Sequence, residues 1–339
     1  MSRPVKILIL GDMNPSIEET LADGFELLRD RALGLERILA DHGAEIRAIV
    51  TRGRSPISAQ LMDRLPALEL IVTVAVGYDS TDVAAAVRRG IVVTNTPDVV
   101  NDEMADFTIG LLLATVRRLP QADNHVRAGL WAGGQNFPLS ASLRGRTIGI
   151  AGMGRIGTVI ARRLEGFDVP VAYYARRQRP ELRHAYHDDL LALVQAVDTL
   201  IVVLPGGGST HKIIDAKILA ALGPDGILIN VARGSVIDEQ ALIAALQTGG
   251  ILAAGLDVFA CEPAVPEALL QMDQVVLLPH IGTATHHTRT VMAQLAVRNV
   301  VSWFDRKRAL TPVPECAGMI SEVAMGRLKP GGNDNGPNA

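Results

Sequence analysis

The sequence predicts an α/β protein made of two doubly wound parallel-sheet domains. Three observations carry that prediction. Short apolar runs alternate with helix-like segments almost from end to end, the pattern of a parallel sheet with crossover helices. A long helix-like stretch and an irregular segment interrupt that alternation once, near residue 101. The chain has 339 residues, 48% of them apolar and 20% charged, which suits two packed cores and not a disordered chain.

In the first third, residues 5–10, 45–50, 69–74 and 91–94 read as strands, because each is short, apolar and bounded by Gly, Pro or polar residues. Residues 35–42 and 81–89 read as helices between them. Asn101, Asp102 and Glu103 resemble an N-cap with an acidic first turn, opening an apolar helix over 104–119 that stops at Pro120. Residues 131–143 read as a loop or arm. A cleaner series follows, with strands at 147–151, 169–174, 199–204, 226–231, 252–256 and 274–278. Helices over 156–167, 212–222 and 239–246 separate them, and a last helix covers 288–305. The expected organisation is a domain of residues 1–100 completed by 288–329, a second domain of residues 101–287, and a disordered tail at 330–339.

Composition excludes several classes. A net charge of −3 gives no basic field for nucleic acid or anionic membrane, and 4% aromatics argues against base-stacking platforms. Two cysteines, Cys261 and Cys316, make neither a disulfide framework nor a four-ligand zinc site. The apolar run at 7–10 is too short for a signal peptide, and none approaches the ~18 residues of a membrane span. A cytoplasmic location is expected, with no nucleic-acid or membrane partner. His286-His287 and the pair His184 and His187, beside Asp188 and Asp189, lack a recognised ligand spacing, so no metal is expected.

Gly152-Met153-Gly154-Arg155-Ile156-Gly157 fits G-x-G-x-x-G. The bare pattern is weak, but here it follows an apolar strand and opens an amphipathic helix. The first glycine permits the tight turn, the second lets a pyrophosphate approach the backbone, and the third lets helix and strand pack closely. A dinucleotide-binding fold that prefers NAD places an acid about 20 residues on, after the second strand. Here that strand ends Tyr173-Tyr174-Ala175-Arg176-Arg177. Two guanidinium groups stand where a ribose 2′-phosphate would lie, which predicts NADPH over NADH.

In an open parallel sheet, ligands bind beyond the carboxyl ends of the strands. Val76-Gly77, Arg233-Gly234, Asp257 with Glu262, and His280 with Gly282 all fall at such ends, and the fold is expected to gather them round one cleft. Reducing a carbonyl by hydride requires a proton donor, and histidine titrates near neutral pH. A carboxylate beside it favours the protonated ring and fixes its tautomer. An arginine can grip a substrate carboxylate and polarise the adjacent carbonyl. His280, Glu262 and Arg233 can take these three roles.

These segments together resemble the D-isomer-specific 2-hydroxyacid dehydrogenase family. The resemblance runs from about residue 5 to 305. It rests on the glycine loop, Asn230-Val231-Ala232-Arg233-Gly234-Ser235, Gly255 to Phe259 with Glu262-Pro263, and Pro279 to Thr285. Val76 to Asp79, Thr94 to Pro97 and Asp106 to Thr108 match as well. It implies a Rossmann dinucleotide-binding domain, a smaller flavodoxin-like substrate domain, and a homodimer whose interface includes residues 101–143.

The resemblance makes Arg233 the substrate-carboxylate ligand, His280 the proton donor and Glu262 its partner. Val76 and Gly77 become the substrate cradle, and Asp257 a nicotinamide contact. Together with the glycine loop and the two arginines read above, the expected cofactor set is Thr108, Gly152, Gly154, Arg155, Ile156, Gly157, Arg176, Arg177, Pro205, Val231, Ala232, Asp257, His280 and Gly282.

Ala175-Arg176-Arg177 departs from the usual acid in the manner of the NADPH-using glyoxylate/hydroxypyruvate and hydroxyphenylpyruvate reductases. The Gly206–Gly208 loop departs too, with no consequence assigned to it. The expected activity is NADPH-dependent reduction of a small 2-oxoacid to the D-2-hydroxyacid. The alternatives are an aryl or sugar-derived 2-oxoacid, such as hydroxyphenylpyruvate or 2-ketogluconate, and a nicotinamide-sensing protein like the C-terminal-binding corepressors. Residues 52–54, Tyr78 and the Trp131 arm are expected to set the pocket.

Overall fold

The structure, a computed structural model, describes residues 4–319. The chain divides into two compact units, Met1–Val100 with Thr285–Ala339, and Asn101–Ala284. The expected tail at 330–339 lies outside the described residues.

The first unit holds β1 (Val5–Leu10), β2 (Phe25–Arg29), β3 (Ile46–Thr51), β4 (Leu70–Thr73) and β5 (Val92–Thr94). They pair in parallel in the order β2-β1-β3-β4-β5, the flavodoxin-like doubly wound order. Strands β4 and β5 are buried along their whole length, which explains why they read as continuous apolar runs. β2 was not expected. It lies at the sheet edge, carries Glu26 and Arg29, and is only partly buried, so it lacks the apolar run that marks its neighbours.

The second unit holds β6 (Ile148–Ala151), β7 (Val171–Tyr174), β8 (Ala185–His187), β9 (Thr199–Val202), β10 (Ile227–Asn230), β11 (Ala253–Leu256) and β12 (Val275–Leu277). Their order is β12-β11-β10-β9-β6-β7-β8, all parallel. The chain winds outward from β6 to β8, then crosses back to β9. The winding therefore reverses between β6 and β9, and such a reversal is where open sheets bind ligands. β8 is the unexpected seventh strand. It is a short edge strand with an exposed Ala185, and it carries no buried apolar pattern.

One helix expectation is corrected. The helix Asn101–Arg117 ends before Pro120, because Arg118 takes the left-handed conformation at φ 53°. A second helix, Leu119–Arg127, then begins with Pro120 in its first turn. Proline is tolerated there because first-turn N–H groups have no intrahelical acceptor. The residue expected to end the helical stretch instead helps start the next one.

In the first unit, the helix His286–Arg306 packs against β4 and the helix Pro15–Ala22. Glu69, just before β4, is 5% exposed. Its carboxylate accepts from Trp303 Nε1 at 3.1 Å and from Arg47 Nε at 2.5 Å, and it pairs with Lys307. One buried anion thus ties the sheet to the returning helix. Glu69→Ala would leave two cations and an indole N–H without their acceptor. It is expected to destabilise the protein by about 3 kcal/mol, read as a lower midpoint in urea denaturation.

Candidate active site

At the end of β6, Gly152 has φ 108°, and a Cβ there would lie 2.8 Å from the Val203 carbonyl oxygen just past β9. A Cβ on Gly157 would lie 2.1 Å from the Gly152 oxygen. Both positions are therefore closed to any side chain. Gly154 is the opposite case. It caps the helix Arg155–Leu164, and a Cβ there would meet nothing within 4 Å. The loop is tight where strand meets helix and open at the helix N-terminus, which is the arrangement a pyrophosphate requires.

Arg176 and Arg177 follow β7, the strand beside β6. Both are exposed, and neither has an ion-pair or hydrogen-bond partner among the described residues. Arg179 was not singled out from the sequence. Its Nη1 donates to the Met153 oxygen of the glycine loop at 3.2 Å, and its backbone N–H donates to Tyr173 Oη at 2.9 Å. It also pairs with Glu181 at 2.6 Å, and that carboxyl is held low by its own backbone N–H and by Arg179. The signal was a third arginine so close to the first two.

Arg233 follows β10 by way of a turn that the buried Asn230 fastens. Asn230 Nδ2 donates to the Arg233 oxygen at 3.1 Å, and Asn230 Oδ1 accepts from Ala232 N at 3.0 Å. Arg233 Nη1 donates to the Ala232 oxygen at 2.8 Å. A Cβ on the next residue, Gly234, would fall 1.9 Å from the Phe259 carbonyl carbon. The Arg233 turn is thereby pressed against the segment that carries Glu262. Glu262 Oε1 accepts from Phe259 N at 3.2 Å, and Oε2 meets His280 Nδ1 at 2.7 Å.

His280 sits past β12 at φ 56°. Asp257, at the end of β11, is 1% exposed and accepts from Ile281 N at 2.8 Å and from Gly282 N at 3.0 Å. Burial pushes its carboxyl above the usual carboxylate range. The two backbone donors and His280 oppose that shift, and Glu262 adds to it. Asp257 therefore fixes the turn that carries His280.

Within this unit the strand ends assemble Arg233, Asp257, Glu262 and His280 into one connected set. Pro205 is exposed, and Val231 and Ala232 are buried in the turn before Arg233. Thr108 is fully buried and donates its hydroxyl to the Met104 oxygen at 2.6 Å. In the other unit, the Val76 oxygen accepts from Asn95 Nδ2 at 2.7 Å, while Tyr78 Oη donates to Glu315. Among the described residues, no group of three or more His, Cys, Asp or Glu side chains could hold a metal, and no helix is long and apolar enough to cross a membrane.

The family model for the D-isomer specific 2-hydroxyacid dehydrogenase NAD binding domain matches residues 109–282. The chain belongs to the D-isomer-specific 2-hydroxyacid dehydrogenases. Within that family it is 42% identical over 310 residues to a glyoxylate/hydroxypyruvate reductase of Arabidopsis thaliana, covering 91% of this chain and 99% of the relative. It is 41% identical, over the same shares, to the hydroxyphenylpyruvate reductase of Plectranthus scutellarioides. It is similar in structure to the NADPH-dependent glyoxylate/hydroxypyruvate reductase of Sinorhizobium meliloti, solved with NADP and malonate. That likeness has a TM-score of 0.87 at 50% identity and covers 93% of this chain and 98% of the other.

Gly234→Ala tests the backbone contact that seats Arg233. The added methyl cannot be accommodated without moving the 259–260 segment. A loss of stability of about 3 kcal/mol or more is expected in chemical denaturation.

Proposed function

We propose that the protein is an NADPH-dependent reductase of small 2-oxoacids, of the glyoxylate/hydroxypyruvate type, forming the D-2-hydroxyacid. The observation that carries this reading is the His280–Glu262 contact, built into the strand ends beside Arg233. The open helix N-terminus at Gly154 fits a dinucleotide with a 2′-phosphate, and so do Arg176 and Arg177, which have no partner among the described residues. The NADP held by the Sinorhizobium meliloti relative supports the same cofactor.

NADPH, when bound, supplies the hydride. Glu262 occupies His280 Nδ1, so the ring is oriented and Nε2 is left to carry the proton delivered to the carbonyl oxygen. Arg233 binds the substrate carboxylate and polarises the carbonyl. Val76 and Gly77 contribute backbone to substrate binding. Asp257 keeps the 280–282 turn in place and offers its remaining lone pairs to the nicotinamide carboxamide. The rest of the cofactor set is Thr108, Arg155, Ile156, Pro205, Val231, Ala232 and Gly282.

We further propose a homodimer formed through residues 101–143. Leu119, Val126, Leu130, Trp131 and Leu139 expose apolar surface there, with Trp131 at 67% and Leu139 at 99%. Charging the patch with Trp131→Glu and Leu139→Glu is expected to shift sedimentation from dimer to monomer. A cytoplasmic location fits two cysteines that stand free.

Initial rates with glyoxylate and hydroxypyruvate test the enzyme reading. NADPH is expected to exceed NADH in kcat/KM. The double variant Arg176→Ala/Arg177→Ala is expected to lose roughly ten- to a hundredfold of that preference. His280→Ala is expected to lower kcat about 10²- to 10⁴-fold while NADPH still binds. Equal use of both cofactors would remove the clamp, and unchanged turnover would remove His280 from the mechanism.

A further inference from the structure

Asn299 lies in the interior of the helix His286–Arg306 and is fully buried. Asparagine is a poor helix former, and a buried carboxamide is costly unless its donors and its acceptor are met. Here they are. Nδ2 donates to the Leu295 oxygen at 3.0 Å and to Thr311 Oγ1 at 2.8 Å. Oδ1 accepts from Leu310 N at 3.0 Å and from Thr311 N at 3.1 Å. The two backbone donors fix which way the amide faces.

Thr311 carries the arrangement onward. Its segment runs antiparallel beside β5, with Asn95 N donating to the Thr311 oxygen at 3.2 Å and Val313 N to the Val93 oxygen at 3.0 Å. Thr311 Oγ1 accepts from Asn299 and donates to the Asn95 oxygen at 2.6 Å. Asn95, itself buried, is therefore held by both of its backbone groups. Its side chain then reaches outward, and Nδ2 donates to the Val76 oxygen at 2.7 Å.

This run of hydrogen bonds ends on a peptide and not on another core side chain. The Val76 carbonyl and the Gly77 N–H belong to one planar trans peptide and point opposite ways. Gripping the oxygen fixes where the N–H points. A hydrogen bond at the oxygen also polarises the amide, which makes its N–H a better donor to an anion. Neither the Val76 nor the Gly77 N–H has a hydrogen-bond partner among the described residues.

We propose that Asn95 is a positioning residue for the reaction: its carboxamide, seated by Thr311 and Asn299, aims the Gly77 N–H at the carboxylate of the 2-oxoacid. The inference rests on the 2-oxoacid reading and on Val76–Gly77 as the substrate cradle. It acts on substrate binding and leaves the hydride and proton transfers to the other unit.

Asn95→Ala and Thr311→Val each remove one link. Both are expected to raise the KM for glyoxylate roughly tenfold at saturating NADPH, with kcat within about threefold and the Kd for NADPH unchanged. Thr311→Ser keeps the hydroxyl and is expected to stay within about twofold of the wild-type KM. Glu69→Ala is the control for loosening of the same unit, since it lowers the urea midpoint and leaves KM at the wild-type value. If Asn95→Ala does not fold, the Thr311 pair decides. A wild-type KM in either Asn95→Ala or Thr311→Val, a loss in kcat in place of KM, a Thr311→Ser KM as high as that of Thr311→Val, or an equal rise in Glu69→Ala would overturn the proposal.

Binding is read separately, by calorimetry on the NADP-loaded protein with oxamate, a carboxylate analogue of glyoxylate. If glyoxylate and hydroxypyruvate are not turned over, the enzyme reading fails by itself. Oxamate then still decides the role of Asn95. Roughly tenfold weaker binding in Asn95→Ala and Thr311→Val upholds it. Equal binding in wild type and variants, or no binding in the wild type, overturns it.

Discussion

Contact of backbone with backbone, at the carboxyl edge of the seven-stranded sheet, is the constraint on which the chemistry depends. The 152 carbonyl fills the space that a side chain at 157 would need, and the 259 segment fills the space at 234. Neither contact has any slack. The first sets the angle at which the helix Arg155–Leu164 leaves its strand and opens its N-terminus. The second seats the Arg233 turn against the loop that carries Glu262, which in turn holds His280. Side chains on separate strands are registered to one another because their main chains touch, and polar contacts then fix their rotamers.

Electrostatics divides the arginines into two populations. Arg47, pinned to Glu69, serves the packing of the first unit, and Arg179 braces the glycine loop while paired to Glu181. The guanidinium groups of Arg176 and Arg177, just past β7, have no counter-ion among the described residues. A folded protein with nearly balanced charge has acids enough to pair them. Leaving them unpaired at strand ends matches the demands of ligands that carry their own negative charge.

Most of the interior was readable in the sequence because buried parallel strands are continuous apolar runs. β4, β9 and β10 announce themselves in this way. The edge strands do not. β2 and β8 keep polar residues towards solvent and are held in place by pairing with β1 and β7, which only the assembled sheet supplies. Pro120 misled for a related reason, since its effect depends on whether its missing N–H falls within a helix or at its start. The site residues stood out by type and position. Two things did not: the way Asp257 spends both oxygens on the 281–282 turn, and the reach of Arg179 to Met153. Those are distances across the sheet edge, and no spacing in the chain encodes them.

The tie between Glu69 and the helix His286–Arg306 bears on how the protein is made. The partners of Glu69 in that helix and just past it, Trp303 and Lys307, are among the last of the described residues to be synthesised. Until they emerge from the ribosome, the strands of the first unit have no returning helix to cover β4, and a carboxylate destined for burial still needs water. The second unit, Asn101–Ala284, is continuous and complete by then. The earlier segment therefore cannot complete its packing until residues near 303–307 arrive, whereas the later one needs nothing beyond residue 284.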